Sequence, residues 1–144
     1  MDERIKEHLK LLNRYYLLLL KVKETSQENF LADPMLQAGT ERFLHLAIES
    51  CLNIGNRILS LSQFEKPIRT PETYADIFKE LAAVGVIDSA FSDRLVKMAK
   101  FRNRLVHLYW DLDKETIYSV VHDNLSDLKL FERKILDYLS KEDV

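Results

Sequence analysis

Residues 41–62, which read ERFLHLAIESCLNIGNRILSLS, decide the fold. Apolar residues recur in this segment at alternating steps of three and four, the spacing that places side chains on one face of an α-helix. The stripe consists of Leu44, Ala47, Cys51, Ile54, Ile58 and Leu61. Gly55 lies on the neighbouring stripe, and glycine costs a helix about 1 kcal/mol relative to alanine, so we expect a close helix approach there. The segment predicts a long, buried helix.

A first helix is predicted over residues 2–23, and it carries two apolar stripes rather than one. The first stripe is Ile5, Leu9, Leu12, Tyr16 and Leu19, and the second is Leu11, Tyr15, Leu18 and Val22. One stripe is enough to pack a helix on a core. Two stripes predict either a helix central to the monomer or a helix that also packs against a second subunit, and the sequence leaves both open.

The remaining helix starts are marked by capping residues. Asp33-Pro34 and Thr70-Pro71 each combine an N-cap oxygen with a proline that gives up an unneeded N–H, while Asp88 and Asp113 cap two later helices. The third helix is expected to end near Gly85. Together these signals predict an all-α fold, an antiparallel bundle of about five helices that forms a single domain over residues 1–144.

The last predicted helix contains one polar interruption. Its inward stripe consists of Ile117, Val121, Leu128, Phe131, Ile135 and Tyr138. Asn124 interrupts the stripe, so we expect this side chain either to be hydrogen-bonded in the core or to line a cleft. The preceding helix, which follows Asp88, is expected to fray past Leu105.

Composition narrows the class of protein. The chain has 144 residues, a formal net charge of −2 and one cysteine. The charge excludes a globally basic nucleic-acid binder, so a polyanion would need a local patch. Cys51 has no partner for an internal disulfide and is expected to be a buried structural thiol. The longest apolar run, residues 15–20, is far shorter than the roughly 20 residues of a membrane span, and residues 1–10 are too charged for a signal peptide. We therefore expect a soluble, cytoplasmic protein.

A cationic ridge is predicted on the fourth helix. Arg94, Lys97, Lys100 and Arg104 recur at steps of three, three and four, which aligns them on one side. Such a ridge is the local footprint that an RNA backbone needs. The alternative is an ordinary solvated face with ion pairs to Asp93 or Glu115.

Arg102 lies within the segment that carries the ridge, and His107 comes just after it. Together they supply the residue types that RNA cleavage requires. Arginine is a permanent cation matched to phosphate oxygens, and histidine accepts or donates a proton near neutral pH. Asn103 adds an amide that could orient the phosphate or the histidine. Five residues of ideal helix rotate by about 140°, so the two side chains would not share a face. Either the helix loosens before His107, or a second subunit completes the cleft.

The segment RNRLVHLY, residues 102–109, resembles the Arg-x4-His-x-Tyr signature of the HepT toxins, a branch of the HEPN superfamily. The similarity extends along most of the chain. Residues 41–54, 71–81 with Gly85-Val86-Ile87, and 113–118 resemble the second helix, the middle section and the entry to the last helix of that family. The spacing of the motif residues, the order of the segments and the sequences that flank the motif all agree with the family pattern.

The resemblance implies a HEPN-like all-α homodimer with clefts at its interface. It also implies a ribonuclease that needs neither a metal ion nor another cofactor, and whose RNA substrate could be tRNA or mRNA. A nucleotidyltransferase antitoxin of the MntA type is the implied partner, acting by binding, by attaching AMP to the motif tyrosine, or by both. On this pattern Arg102 and His107 correspond to the catalytic pair, Asn103 to the polar residue after the arginine, and Tyr109 to the modified tyrosine. Leu108 departs from the smaller residue expected between histidine and tyrosine, which puts access to the cleft in question.

Other interpretations remain open. The chain could be a non-catalytic HEPN partner that docks on a nucleotidyltransferase, or a purely oligomeric scaffold, although a scaffold leaves the ridge unexplained. Tyr109 taken without the resemblance is an ordinary half-buried aromatic residue. His8 and His122 are expected on helix surfaces and His45 near a packing seam. No carboxylate or cysteine stands at ligand spacing around these histidines, so no metal site is predicted.

Overall fold

The structure, a computed structural model, describes residues 1–107 and 112–142, with the backbone alone described at His107. The described residues form helices and turns, with no strand among them. The helices are α1 (Glu3–Lys23), α2 (Gln27–Leu31), α3 (Pro34–Ser62), α4 (Tyr74–Ala83), α5 (Ser89–His107), α6 (Lys114–Asn124) and α7 (Ser126–Glu142). The predicted all-α class is confirmed, whereas the described part of the chain contains seven helices rather than about five.

The first difference is the short helix α2, which the sequence analysis missed. The Ser26 side chain caps it by accepting a hydrogen bond from the backbone N–H of Asn29. Phe30 anchors it in the core, where its ring centroid lies 5.3 Å from that of Tyr118. One aromatic anchor therefore holds a helix too short to show apolar periodicity.

The second difference is at Leu125, where the predicted last helix divides into α6 and α7. The residue keeps helical angles, φ −60° and ψ −33°, and the N–H of Leu128 donates to its carbonyl across three residues rather than four. This local tightening interrupts the α-helical hydrogen bonds without reversing the chain. Leu125 itself is buried.

The third difference is the start of α4, which begins at Tyr74 and not at Pro71. Thr73 and Asp76 form a capping box, in which each side chain accepts a hydrogen bond from the backbone N–H of the other residue. This reciprocal pair satisfies two N–H groups of the first turn and outweighs the Thr70-Pro71 signal. The predicted end is confirmed, because Gly85 has φ +87° in the turn after the helix.

The long helix α3 forms the centre of the bundle and packs against every other helix. Its predicted cap is confirmed, because the Asp33 side chain accepts from the N–H of Leu36. Its apolar stripe is buried from Leu44 to Ile58, and Leu61 is partly buried. The stripe includes the Cys51 thiol, whose pKa is raised by burial. The predicted structural cysteine is confirmed.

The two stripes of α1 are buried to different extents. The helix packs against α3, α6 and α7. Ile5, Leu12 and Leu19 of the first stripe are buried. In the second stripe Val22 is buried, and the Tyr15 ring stacks 6.5 Å from that of Phe43. Leu11 and Leu18 of the second stripe are only partly buried and are not among the residues packed against the core. The choice between a helix central to the monomer and a helix that also packs against a second subunit therefore stays open, and the dimer stays a prediction. None of the described helices is long and apolar enough to cross a membrane.

Candidate active site

Arg102 is the centre of the candidate site. It is only 8% exposed, on the side of α5 that faces α3. Its Nε donates to Glu49 Oε2 at 3.0 Å, and its Nη2 lies 2.9 Å from the same oxygen. Its Nη1 donates to Asn103 Oδ1 at 3.3 Å. The guanidinium group is thus held in one orientation by a carboxylate from α3 and an amide from its own helix.

Tyr74, the first residue of α4, completes this arrangement. The Arg102 guanidinium carbon lies 4.5 Å from the centroid of the Tyr74 ring, a cation–π contact. Gly55 brings α4 this close to α3, because a Cβ atom there would lie 2.8 Å from Ile77 Cγ2 and 3.0 Å from Leu81 Cδ1. The close approach predicted at Gly55 is therefore confirmed, and its partner is α4 of the same chain.

Glu49, His45 and Tyr74 were missed as site residues by the sequence analysis. His45 Nε2 lies 3.8 Å from Glu49 Oε2, one helical turn away, and His45 Nδ1 lies 3.4 Å from Arg42 Nη1. Burial lowers the pKa of His45, and the nearby Arg102 charge adds to that shift. The sequence analysis overlooked the i,i+4 spacing of His45 and Glu49, which places a carboxylate beside this histidine. Nothing in the sequence tied that pair to Arg102.

An open, polar groove of about 580 Å³ lies beside Arg102. Its polar lining consists of Glu49, Asn53, Asn56, Glu72, Thr73, Tyr74 and Asn103. The lining contains no lysine or arginine among the described residues. The groove therefore offers amides, carboxylates and an aromatic ring, and its negative charge comes from Glu72, because Arg102 balances that of Glu49.

The cationic ridge lies on a different side of α5. Arg94, Lys97, Lys100 and Arg104 border a second cleft, of about 440 Å³, between α5 and helices α3, α6 and α7. Asn124 also lines this cleft, which decides between the two alternatives predicted for it. Arg94 Nε lies 3.3 Å from Asp127, so the predicted partners, Asp93 and Glu115, are wrong for this residue.

The structure thus brings Arg102 and Asn103 together and separates them from Arg104 and the rest of the ridge. Helix α5 continues through His107, so the alternative in which it loosens before that residue is wrong. Tyr109 and Leu108 lie outside the described residues, as does the His107 side chain. The roles predicted for these three residues stay predictions.

The other histidines largely follow the sequence analysis. His122 is exposed on α6, and its ring meets the edge of the Tyr118 ring. His8 is only partly exposed, and its Nδ1 is buried with no hydrogen-bond partner in the described structure. The same described residues contain no group of three or more His, Cys, Asp or Glu side chains placed to hold a metal ion.

Comparison with protein families adds a second line of evidence. The family model described as ribonuclease HepT-like matches residues 5–135. The chain is 29% identical over 135 residues to the tRNA nuclease HepT of Aphanizomenon flos-aquae, covering 94% of this chain and 89% of that protein. It is 32% identical over 102 residues to the mRNA nuclease HepT of Shewanella oneidensis, covering 71% of this chain and 74% of that protein.

Solved structures agree with the family match. A toxin–antitoxin structure with AMP-PNP matches at a TM-score of 0.82 and 27% identity, covering 94% of this chain and 99% of that one. The tri-AMPylated HEPN toxin of Shewanella oneidensis, in complex with its MNT antitoxin, matches at a TM-score of 0.84 and 27% identity, with coverage of 95% and 99%. The predicted HEPN-like fold and the resemblance to HepT are confirmed.

Proposed function

Because the chain belongs to the HepT-like ribonuclease family and is therefore a ribonuclease, we propose that it is the toxin of a toxin–antitoxin pair. It cuts RNA without a metal ion and uses Arg102 and His107 as its catalytic pair. The tRNA and mRNA nucleases among its relatives support RNA of one of these two kinds as the substrate.

The observation that carries the catalytic role is the fixed guanidinium group of Arg102. Glu49 engages its Nε and one hydrogen of Nη2, and Asn103 engages one hydrogen of Nη1. Arginine has five N–H donors, so donors on the two terminal nitrogens remain for phosphate oxygens. A donor oriented before the substrate arrives stabilises the charge that gathers on the phosphate in the transition state without reorganising.

His107 is proposed to move protons in the same reaction. A base takes the proton of the RNA 2′-hydroxyl, whose oxygen attacks the phosphorus, and an acid returns a proton to the leaving 5′-oxygen. This displacement forms a 2′,3′-cyclic phosphate. Because α5 is helical through His107, a second subunit that completes the cleft is the proposed way to unite His107 with Arg102. Light scattering is expected to give about twice the 16.9 kDa chain mass.

The test is RNA cleavage in the presence of EDTA, with the ends of the products identified by mass spectrometry. His107→Ala is expected to lose about 10²–10⁴-fold in rate, the usual contribution of one acid–base group. His122→Ala, an exposed histidine on α6, is the matched control and is expected to cut like the wild type. Equal rates for His107→Ala and the wild type, with both folded by circular dichroism, would contradict the proposal.

Regulation is proposed to act through Tyr109 and an MntA-like antitoxin, as the AMPylated toxin in complex with its antitoxin suggests. The tyrosine oxygen attacks the α-phosphorus of ATP, pyrophosphate leaves, and a phosphodiester with one negative charge remains. That charge competes with RNA for Arg102 and the ridge, and the adenosine occupies the space that a nucleotide of the RNA substrate needs.

Mass spectrometry after incubation with the antitoxin, ATP and magnesium is expected to locate AMP on Tyr109, and Tyr109→Phe is expected to escape it. Tyr118 is an internal reference, because its buried hydroxyl already donates to the Thr25 carbonyl. AMP on Tyr74 or Tyr118 instead would overturn the assignment.

A second candidate function rests on one observation, the ion pair between Arg102 and Glu49. An arginine whose charge is balanced inside the protein fits a structural role, as in a non-catalytic partner that docks on a nucleotidyltransferase. The two candidates differ in the cleavage assay. A docking partner shows no RNA cleavage that depends on His107.

A further inference from the structure

We infer that the polar groove beside Arg102 binds the base of a nucleotide next to the scissile phosphate and thereby gives the enzyme a sequence preference. This inference rests on the proposed ribonuclease function and extends it to substrate recognition. The groove is lined by Glu49, Asn53, Asn56, Glu72, Tyr74 and Asn103.

The charge of the groove favours a base over a phosphate. Glu72 contributes a carboxylate in addition to that of Glu49, which is paired with Arg102, and the described lining contains no lysine or arginine. A phosphate is repelled by such a surface, whereas Arg102 and the ridge attract it. An RNA strand therefore has separate places for its backbone and for one of its bases.

The asparagines supply the hydrogen-bonding pattern that reads a base. Each amide offers one acceptor oxygen and two N–H donors, which matches the mixed donors and acceptors of base edges. Asn53 and Asn56 are exposed on α3, one helical turn apart, and no hydrogen bond within the described structure occupies their side chains. Asn103 Oδ1 accepts a hydrogen bond from Arg102 Nη1, so the amino group of Asn103 remains available.

Tyr74 supplies a surface for stacking. Its side chain is 41% exposed at the edge of the groove, while Arg102 lies against its ring. Single-stranded RNA is recognised mainly by stacking of unpaired bases on aromatic rings, combined with hydrogen bonds to their edges. The volume of about 580 Å³ is within the range of roughly 300–1,000 Å³ for small-molecule sites.

The carboxylates predict which bases are preferred. The Glu72 carboxylate and the Glu49 oxygen that Arg102 does not bind accept hydrogen bonds. Adenine, cytosine and guanine each present an exocyclic amino group that can donate to a carboxylate, whereas uracil has no amino group and its single N3–H is flanked by two carbonyl oxygens that a carboxylate repels. The groove is therefore expected to favour a base with an amino group and to disfavour uracil.

The experiment compares cleavage of a pool of randomised single-stranded RNA by the wild type and by Asn53→Ala/Asn56→Ala, with the product ends sequenced. The wild type is expected to disfavour uracil at one position beside the cut by about fivefold or more, the lower end of what one good base contact provides. The double variant is expected to lose this preference while it still cuts RNA. Asn13→Ala, on α1 outside the groove, is the matched control and is expected to keep it.

The outcomes separate this inference from the proposed function. Cleavage by the wild type with no preference at any position, or an equal preference in the wild type and the double variant, would overturn the base site and leave the ribonuclease proposal standing. Absence of RNA cleavage by the wild type would overturn both. Asn56→Asp, which keeps the shape and removes the donors, is expected to alter the preference even if the double variant is poorly folded.

Discussion

The positive charges on the two sides of helix α5 have different surroundings. On one side Arg102 is buried, paired with Glu49 and held against Tyr74. On the other side Lys97, Lys100 and Arg104 border an open cleft. A cation that is fixed before the substrate arrives suits transition-state stabilisation, whereas open cations suit the long-range attraction of a polyanion. The comparison predicts that Arg102 contributes to the chemical step and Arg104 to RNA binding, although both lie on α5.

The largest expected effect separates Arg102 from Arg104. Arg102→Ala is expected to lower kcat by about 10²–10³-fold, the usual loss when one oriented donor is removed from a transition state. Arg104→Ala is expected to act mainly through KM, by weakening attraction to the RNA backbone. Steady-state kinetics on one RNA measures both. Equal losses in kcat for the two variants would remove the distinction between the two sides.

The second effect concerns the salt dependence of RNA binding, measured in a His107→Ala background so that RNA is cut slowly during the measurement. Each phosphate contact contributes about 0.7 to the slope of log K against log salt for a single strand. Lys97→Ala/Lys100→Ala is therefore expected to reduce the slope by about 1.4. Lys134→Ala/Lys141→Ala, which removes the same charge from α7, is the control. A slope that falls equally in both pairs would mean that net charge, and not the ridge, attracts RNA.

The third effect tests whether Glu49 holds Arg102. Glu49→Ala leaves a buried guanidinium group without its carboxylate, which is expected to cost about 2 kcal/mol of unfolding free energy. For a chain of this length that is roughly 5–8 °C in Tm. Glu49→Gln keeps an acceptor oxygen, so its Tm is expected to lie between those of the wild type and Glu49→Ala.

The control for Glu49 is Glu41→Ala on the same helix. Glu41 pairs with Lys114, whose side chain is 41% exposed. Exposed pairs contribute about 1 kcal/mol or less. If the two alanine variants unfolded at the same temperature, Arg102 would not depend on Glu49 as described.

The smallest effect compares two glycines of α3. Gly39→Ala places a Cβ atom 3.9 Å from Phe43, an ordinary contact, so it is expected to stabilise the protein by about 0.5–1 kcal/mol through helix propensity. Gly55→Ala forces a Cβ atom against Ile77 and Leu81 of α4. It is expected to destabilise by about 1 kcal/mol, because overpacking exceeds the gain in propensity. Thermal unfolding of both variants decides, and stabilisation by Gly55→Ala would mean that α4 does not need the close approach that places Tyr74.

The helices could be predicted from sequence because their signals are local. The stripe through Leu44 and Ile58, the caps at Asp33 and Asp113, and the turn at Gly85 depend on residues within a few positions of one another. Helix α2 and the start of α4 were not predicted, because their signals are weak in the local sequence. In α2 a single anchor, Phe30, replaces periodicity, and at α4 a capping box outweighs a threonine–proline pair.

The candidate site was predictable only in part. Spacing alone identified Arg102, Asn103 and the ridge as charged or polar positions, and the resemblance assigned them roles. Glu49 precedes Arg102 by 53 positions, and Tyr74 is the first residue of a helix whose start the sequence misplaced. No periodicity connects residues so far apart.

The sequence by itself determined that this chain is helical, where most of its helices begin and end, and which residues can hold a phosphate or move a proton. These properties follow from backbone hydrogen bonding, capping and side-chain chemistry, all of which act over one or two helical turns. Helical spacing already places Arg102 and Arg104 on different sides, because two residues rotate by about 200°. Only the tertiary structure decided that the side of Arg102 turns inward to Glu49 and Tyr74. That choice depends on which helices pack on each side of α5, and packing is fixed by contacts between residues that are distant in sequence.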